Sequence, residues 1–192
     1  PEQFNQSRPT SDLVISTVGR LDPIKNQTML MKAFDLAVQR EPRMREATLQ
    51  LIGDGPIFKE LEAYRKGLAS AKQIDMLGYR SDINHLLEES QVFALSSHYE
   101  AMPMTILEAM ALGVPVITTN VGGISKFISE EEAWFVDAGD AETMSQMFVQ
   151  ILFDETSYTT KTRKAYQLVA ENYSVASMVQ RYMTLYNVTP KA

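Results

Sequence analysis

Cysteine is absent from the 192 residues, and histidine occurs only twice, at His85 and His98. The first absence excludes disulfides, thiolate zinc sites and cysteine nucleophiles, and the second argues against a metal centre built on imidazoles. Long apolar runs are missing as well. No stretch approaches the ~18 residues that a membrane-spanning helix needs, and the first residues lack the charged-then-apolar order of a secretory signal. Cations are in the minority, with 18 Lys and Arg against 24 Asp and Glu and a formal net charge of −6. A general nucleic-acid binder is therefore disfavoured, although a local basic pocket still suits a small phosphate-bearing ligand. These absences lead us to expect a cytoplasmic protein in a reducing compartment.

What is present suffices for one domain. With 45% hydrophobic residues the chain can bury a sizeable core, whereas two domains cut from it would each be marginal. Residues 1–12, PEQFNQSRPTSD, are polar and aperiodic and read as a linker or the end of a preceding domain, which leaves 13–192 as the folded unit. Six short apolar runs follow, at 13–19, 47–53, 73–78, 91–96, 114–119 and 133–137, several closing on Gly or Ser as strands buried on both faces do. Helical periodicity fills the intervals at 27–40, 57–69, 82–90 and 104–112, then dominates at roughly 141–154, 157–172 and 174–187. The alternation predicts an α/β fold: a Rossmann-like parallel sheet of about six strands, helices on both faces, and a helical C-terminal tail. Sheets of this kind bind ligands beyond the carboxyl ends of their strands.

The stretch EAMPMTILEAMALGVPVITTN, residues 100–120, places Glu100 before a helix and Glu108 inside it, with seven residues between them. Pro103 suits the helix start and Gly113 its end. The start of such a helix offers free N–H groups and a positive dipole end, a seat for an anion. Glu108 lies about one and a half turns in, so the two carboxylates suit different parts of one extended ligand better than a shared proton. Acidic residues also favour first turns for the dipole alone, so the pair by itself leaves capping and ligand binding both open. In VGRLDPIKN, Arg20 and Lys25 follow the first strand, where two cations can grip a diphosphate or simply be solvated. The turns IGDGP and VGGIS, at 52–56 and 121–125, allow close backbone approach to a ligand. Neither a G-x-G-x-x-G fingerprint nor a G-x-x-x-x-G-K-[ST] loop occurs, which removes the best support for dinucleotide and P-loop readings. Ser97 and His98 read as structural, and the apolar residues of 104–112 as core.

Taken in order, GRLDPIKN, IGDGP, MLGYRSDI, SSHYEAMPMTILEAMALGVPVITTNVGGI and YSVASMVQRYMTLY resemble the C-terminal, donor-binding half of the group 1 family of retaining, nucleotide-sugar-dependent glycosyltransferases. The resemblance covers roughly residues 13–187, and the Glu-x7-Glu pattern followed by A-x-G-x-P-V-I is its most specific part. It implies two facing Rossmann-like domains, of which the N-terminal, acceptor-binding one is absent here, and a nucleoside-diphosphate sugar as co-substrate, with no other cofactor. Catalytic roles would fall to Arg20, Lys25 and Glu100: the two cations on the diphosphate leaving group, Glu100 on donor-sugar hydroxyls. Donor binding would involve Gly19, the backbone at Tyr79 and Arg80 beside the base, the N–H groups of Thr105, Ile106 and Leu107 at the diphosphate, and Glu108 on the ribose. For Tyr79 simple packing is the competing role.

The reaction implied is hexosyl transfer to a saccharide or lipid-linked acceptor with retention of configuration, serving polysaccharide and cell-envelope synthesis. It would need no metal, since no Asp-x-Asp motif occurs, and the fragment alone would be inactive. Nucleic acid is not an expected partner; peripheral association with a membrane would run through the absent half. The chain departs from the family at Ala101, where Gly is usual, at Lys126, where an acid is common, and at Trp134, near a position often held by Gly. The alternatives are a domain that binds nucleotide sugar without transfer, and an epimerase or phosphorylase-like enzyme of the same architecture.

Overall fold

The computed structural model describes residues 13–186. The segment 1–12 read as a linker, and residue 187 at the end of the last expected helix, lie outside the described residues.

Six strands form one parallel sheet: β1 (Leu13–Val18), β2 (Ala47–Ile52), β3 (Ile74–Gly78), β4 (Val92–Leu95), β5 (Val116–Thr119) and β6 (Trp134–Val136), in the spatial order β3-β2-β1-β4-β5-β6. The register runs Leu13 opposite Ala47, Ile15 opposite Val92, Phe93 opposite Val116 and Ile117 opposite Trp134. Central strands β4 and β5 are buried at every residue, whereas edge strand β3 is buried only at Ile74. This is why the central runs read as continuously apolar in the sequence: a parallel sheet covered on both faces has no wet side to alternate with.

The helices are α1 (Gln27–Arg40), α2 (Phe58–Lys66), α3 (Ile83–Glu88), α4 (Met104–Ala111), α5 (Ala141–Phe153), α6 (Glu155–Asn172) and α7 (Val175–Leu185). One core cluster packs α1, α2 and α5 on one face of the sheet, with Phe34, Phe148, Leu30 and Leu61 inside it. A second packs α3, α4 and α6 on the other, around Leu87, Ile106, Met110 and Ala165. The chain thus winds from β1 outward through α1 and α2, crosses the sheet through α3, and winds outward again from β4. β1 and β4 are neighbours whose following segments depart to opposite faces, which opens a crevice at their carboxyl ends.

Local chemistry sets the helix ends. Asn26 adopts a left-handed conformation, φ 49°, and its side chain caps α1 by accepting from the Met29 N–H. Asp140 caps α5 through the Thr143 N–H at 2.9 Å, and that bond and the Thr143 hydroxyl hold its carboxyl below the usual range. Gly113, φ 73°, ends α4 as expected, with its N–H on the Met110 carbonyl. The sequence placed α2 and α3 within longer spans; α2 ends at Lys66 with Gly67 as its cap, and α3 at Glu88 with Glu89 as its cap. α7 buries none of its side chains and exposes Val175, Met178, Tyr182 and Leu185.

The division of burial predicts a division of stability. Phe148→Ala empties a fully buried position between α5 and α1 and is expected to cost about 3–5 kcal/mol. Met178→Ala, on a residue 49% exposed, is expected to stay within ~0.5 kcal/mol of wild type. Urea unfolding followed by circular dichroism checks both, and similar losses at the two positions would contradict this assignment of the core.

Candidate functional site

The crevice between β1 and β4 is closed at its base by backbone hydrogen bonds. The loop after β1 meets the loop after β4 where the His98 N–H donates to the Ile24 carbonyl at 2.8 Å. The Ser96 hydroxyl reaches the carbonyls of Lys25 and Asn26 at 3.0 and 2.9 Å. The Gln27 amide, almost wholly buried, donates to the Arg20 carbonyl at 3.0 Å and so pins the front of the same loop. The β1 loop is therefore fixed at Arg20, Ile24, Lys25 and Asn26 although it has no sheet pairing of its own.

Above this base sits an ion pair. Lys25 Nζ lies 2.6 Å from Glu100 Oε1, with the Glu100 side chain only 8% exposed and that of Lys25 26%. The Ser97 hydroxyl donates to the same oxygen at 2.6 Å. Two residues expected to act on the same ligand, one after β1 and the other after β4, are thus in direct contact across the crevice. The remaining candidates are arranged around them. Arg20 is 71% exposed, its Nε 3.8 Å from Asp22 Oδ2, so its guanidinium is free to reorient. Glu108 is exposed on α4. Tyr79 is 82% exposed and so is not part of this chain's core. Arg80 is engaged by Asp82, Nε to Oδ1 at 2.8 Å, and this pairing holds the Asp82 carboxyl at about 2.

At the start of α4 the expectation needs refinement. Pro103 precedes the first helical residue, and no side chain caps the helix there. The Ile106 N–H donates back to the Pro103 carbonyl at 3.2 Å, so it is not an open donor. Among the described residues nothing accepts from the N–H groups of Met104 and Thr105, and these are the ones the helix start presents. The expected start of the helix at residue 104 matches α4; Met104 was not among the candidates because the resemblance assigned the diphosphate to the N–H groups of Thr105, Ile106 and Leu107.

The glycine turns also work differently from the expectation. Gly122, φ 58°, lies so close to the loop after β4 that an added Cβ would sit 1.9 Å from the Glu100 carbonyl oxygen. Gly123 donates its N–H to that oxygen at 2.8 Å, and its own Cβ would meet the Ala101 carbonyl at 2.2 Å. In the other turn a Cβ at Gly53 would lie 2.0 Å from the Gly19 carbonyl, and one at Gly55 would lie 2.1 Å from that of Leu21. The close approach these glycines permit in this structure is between neighbouring loops. The loop after β1 and the loop after β4 are each braced by a glycine turn from the strand beside it.

The departures from the family pattern are accommodated. Ala101 is exposed and does not adopt positive φ, so it needs no glycine freedom. Lys126 is exposed in the short turn Ile124–Lys126. Trp134 is buried in β6, with Lys161 Nζ 4.9 Å from its ring centre. Among the described residues no three acidic or histidine side chains gather into a metal-binding group, and no helix is long and apolar enough to cross a membrane.

The family pattern of glycosyl transferases group 1 matches residues 1–168. N-acetyl-α-D-glucosaminyl L-malate synthase of Bacillus anthracis is 29% identical over 177 residues, 92% of this chain and 45% of that protein. UDP-Gal:α-D-GlcNAc-diphosphoundecaprenol α-1,3-galactosyltransferase of Escherichia coli is 25% identical over 178 residues, 92% of this chain and 46% of that protein. The crystal structure of Anabaena HepE in complex with UDP-glucose superposes with a TM-score of 0.81 at 25% identity, over 92% of this chain and 49% of that one. The chain spans about half the length of the curated relatives it matches.

The braces make a specific prediction. Gly122→Ala combines a left-handed backbone with a carbonyl in the way, so it is expected to cost well over the ~1–2 kcal/mol of backbone strain alone. Gly139, φ 88° with open space at its Cβ position, should lose only that strain when changed to Ala. Urea unfolding of the two variants measures the difference; equal costs would mean that the Gly122 contact exerts no force on the Glu100 loop.

Proposed function

The chain belongs to the group 1 glycosyl transferase family, and from that premise we propose that it is the donor half of a glycosyltransferase, holding a nucleoside-diphosphate sugar in the crevice between β1 and β4. The observation that carries this reading is the Lys25–Glu100 pair at the point where the sheet changes winding direction. Structural ion pairs are commonly placed where water screens them; this one joins two loops at the ligand-binding edge of a doubly wound sheet, with its carboxylate buried. The UDP-glucose complex of Anabaena HepE supports the same ligand class.

The chemistry follows from the groups present. As the bond from the sugar anomeric carbon to the diphosphate oxygen breaks, its electron pair goes to that oxygen and negative charge grows there. Lys25 has three N–H donors and gives one to Glu100, which leaves two for phosphate oxygens. Arg20, exposed and mobile at its tip, adds a planar fork suited to the same group. Their positive charge stabilises the leaving group, a task that in other enzymes falls to a divalent metal, and the reaction is metal-independent in this reading. The first-turn N–H groups of α4 add a dipole of the right sign. Glu100 accepts from sugar hydroxyls and Glu108 from the ribose. Glu100 is not the nucleophile in this reading: the carboxylate is ion-paired with Lys25, which weakens it as an attacking group. The acceptor hydroxyl attacks on the face the diphosphate leaves, passing its proton to the departing phosphate oxygen, and configuration is retained. The transferred group is a hexosyl unit and the acceptor a saccharide or lipid-linked saccharide, bound by the half that the longer relatives carry.

Calorimetric titration tests the reading. Arg20→Ala and Lys25→Ala should each weaken a nucleoside diphosphate roughly ten- to hundredfold, the value of a charge-assisted hydrogen bond, and leave the parent nucleoside nearly unaffected. Glu108→Gln should weaken nucleoside and nucleotide alike, because an amide offers one acceptor oxygen where the carboxylate offers two. Equal losses for nucleoside and diphosphate in the Arg20 and Lys25 variants would place the phosphate site elsewhere. With an acceptor half restored, release of an altered nucleotide sugar without acceptor would identify an epimerase instead.

A further inference from the structure

The two oxygens of the Glu100 carboxylate are held differently. Oε1 accepts from the Ser97 hydroxyl and from the Lys25 ammonium, each at 2.6 Å. Among the described residues no hydrogen bond reaches Oε2. It is nevertheless not one of the sealed polar atoms lacking a partner, which are Ser16 Oγ, Gln27 Oε1 and Arg65 Nε, so it keeps contact with solvent. One oxygen is engaged twice by the protein and the other faces outward.

Lys25 cannot impose that asymmetry alone. Its ammonium ends a flexible four-carbon stem and can follow either oxygen as the carboxylate turns. Ser97 can, because it is fully buried and its backbone is itself fixed: its carbonyl accepts from the Thr119 hydroxyl at 2.7 Å, and Thr119 is equally buried at the end of β5. A serine hydroxyl has one proton to donate and an ionised carboxylate can only accept, so the sense of the bond is settled. Rotating the carboxylate by half a turn at the buried end would change nothing, but any intermediate angle breaks the Ser97 bond.

We propose that Ser97 is a positioning residue for the donor sugar: its hydroxyl holds the Glu100 carboxylate at the angle that turns one free oxygen into the crevice as the acceptor for a sugar hydroxyl. Ser97 is fully buried and acts only through Glu100. The proposal rests on the donor-site reading above.

Its test is calorimetry on this chain with UDP, UDP-glucose, UDP-galactose, UDP-N-acetylglucosamine, GDP and GDP-mannose. For the nucleotide bound, the quantity to follow is the ratio of the Kd of the nucleoside diphosphate to that of its sugar. Ser97→Ala is expected to lower this ratio roughly three- to thirtyfold, a part of the about ten- to hundredfold that a charge-assisted hydrogen bond is worth, because the released carboxylate still meets the sugar hydroxyl part of the time, with diphosphate affinity held within about twofold. In a Glu100→Ala background the same substitution should shift the ratio by less than about twofold, since the residue through which it acts is gone. Ser97→Cys, similar in size and a weak donor, should fall between, and it carries the same comparison if Ser97→Ala does not fold. An unchanged ratio, an equal loss of both ligands, or a full loss persisting without Glu100 would overturn the proposal and leave Ser97 a packing residue. Binding of none of these ligands by the wild-type chain would overturn the donor-site reading and the proposal with it, whereas wild-type binding with an unaltered Ser97→Ala ratio overturns the proposal alone.

Discussion

A carboxylate taken out of water must be compensated, and the crevice is organised around the compensation of Glu100. Desolvating an ion costs several kcal/mol, which a single partner repays only with good geometry and further hydrogen bonds. Glu100 has a cation and a hydroxyl, both at 2.6 Å on one oxygen. Ser97 lies three residues before Glu100 in the same loop, but Lys25 arrives from the loop after β1, so the compensation of the charge by a cation depends on the fold. Were β1 and β4 not neighbours in the sheet, the carboxylate would keep only the hydroxyl. The same adjacency is what opens the crevice, so the ligand-binding edge and the ion pair have one topological cause.

Holding such a pair requires loops that do not drift, and the structure achieves this with backbone against backbone. Gly53 and Gly55 press on the carbonyls of Gly19 and Leu21, while Gly122 and Gly123 press on those of Glu100 and Ala101. A Cβ at any of those four positions would lie within 2.2 Å of a carbonyl oxygen, well inside van der Waals contact, so the braced loops would have to move apart. The hydrogen bonds from Gln27, Ser96 and the His98 N–H act in the same direction. A site built in this way is preorganised: its charges are oriented before a ligand arrives, and orientation that is already fixed is not lost again as entropy on binding.

The parallel sheet and the succession of helices were legible in the sequence because burial on both faces leaves short but continuous apolar runs, and amphipathic helices carry a separate period. The pairing of Lys25 with Glu100 was not. The two are 75 residues apart, and only the strand order brings them together. Two cations after one strand and a glutamate after another could be assigned to the same ligand by resemblance, but not to each other. The glycine turns were recognised as places of close approach, while what approaches them depends on which loop lies across, again a matter of strand order. Ser97 looked structural because a serine in a small polar run gives no sign of the carboxylate three residues on folding back over it. The start of α4 was legible, at Met104, but which first-turn N–H groups stay open was not, because that depends on the bond from the Ile106 N–H back to the Pro103 carbonyl.

The arrangement also bears on how one crevice can treat two ends of a donor. In the proposed reading Lys25 contacts the diphosphate and Glu100 the sugar, and the two share a hydrogen bond. When charge builds on the leaving group, Lys25 is drawn toward it and its bond to Glu100 lengthens. Glu100 is then left more negative just as the sugar ring becomes electron-poor, which strengthens its grip on the sugar hydroxyls. Arg20 lacks such a link, its nearest carboxylate being Asp22 at 3.8 Å, so it responds to the diphosphate alone. In that reading the two cations are not duplicates: Arg20 would contribute charge, whereas Lys25 would connect the bond that breaks to the group that holds the transferred sugar, with the carboxylate anchored from behind by the Ser97 hydroxyl.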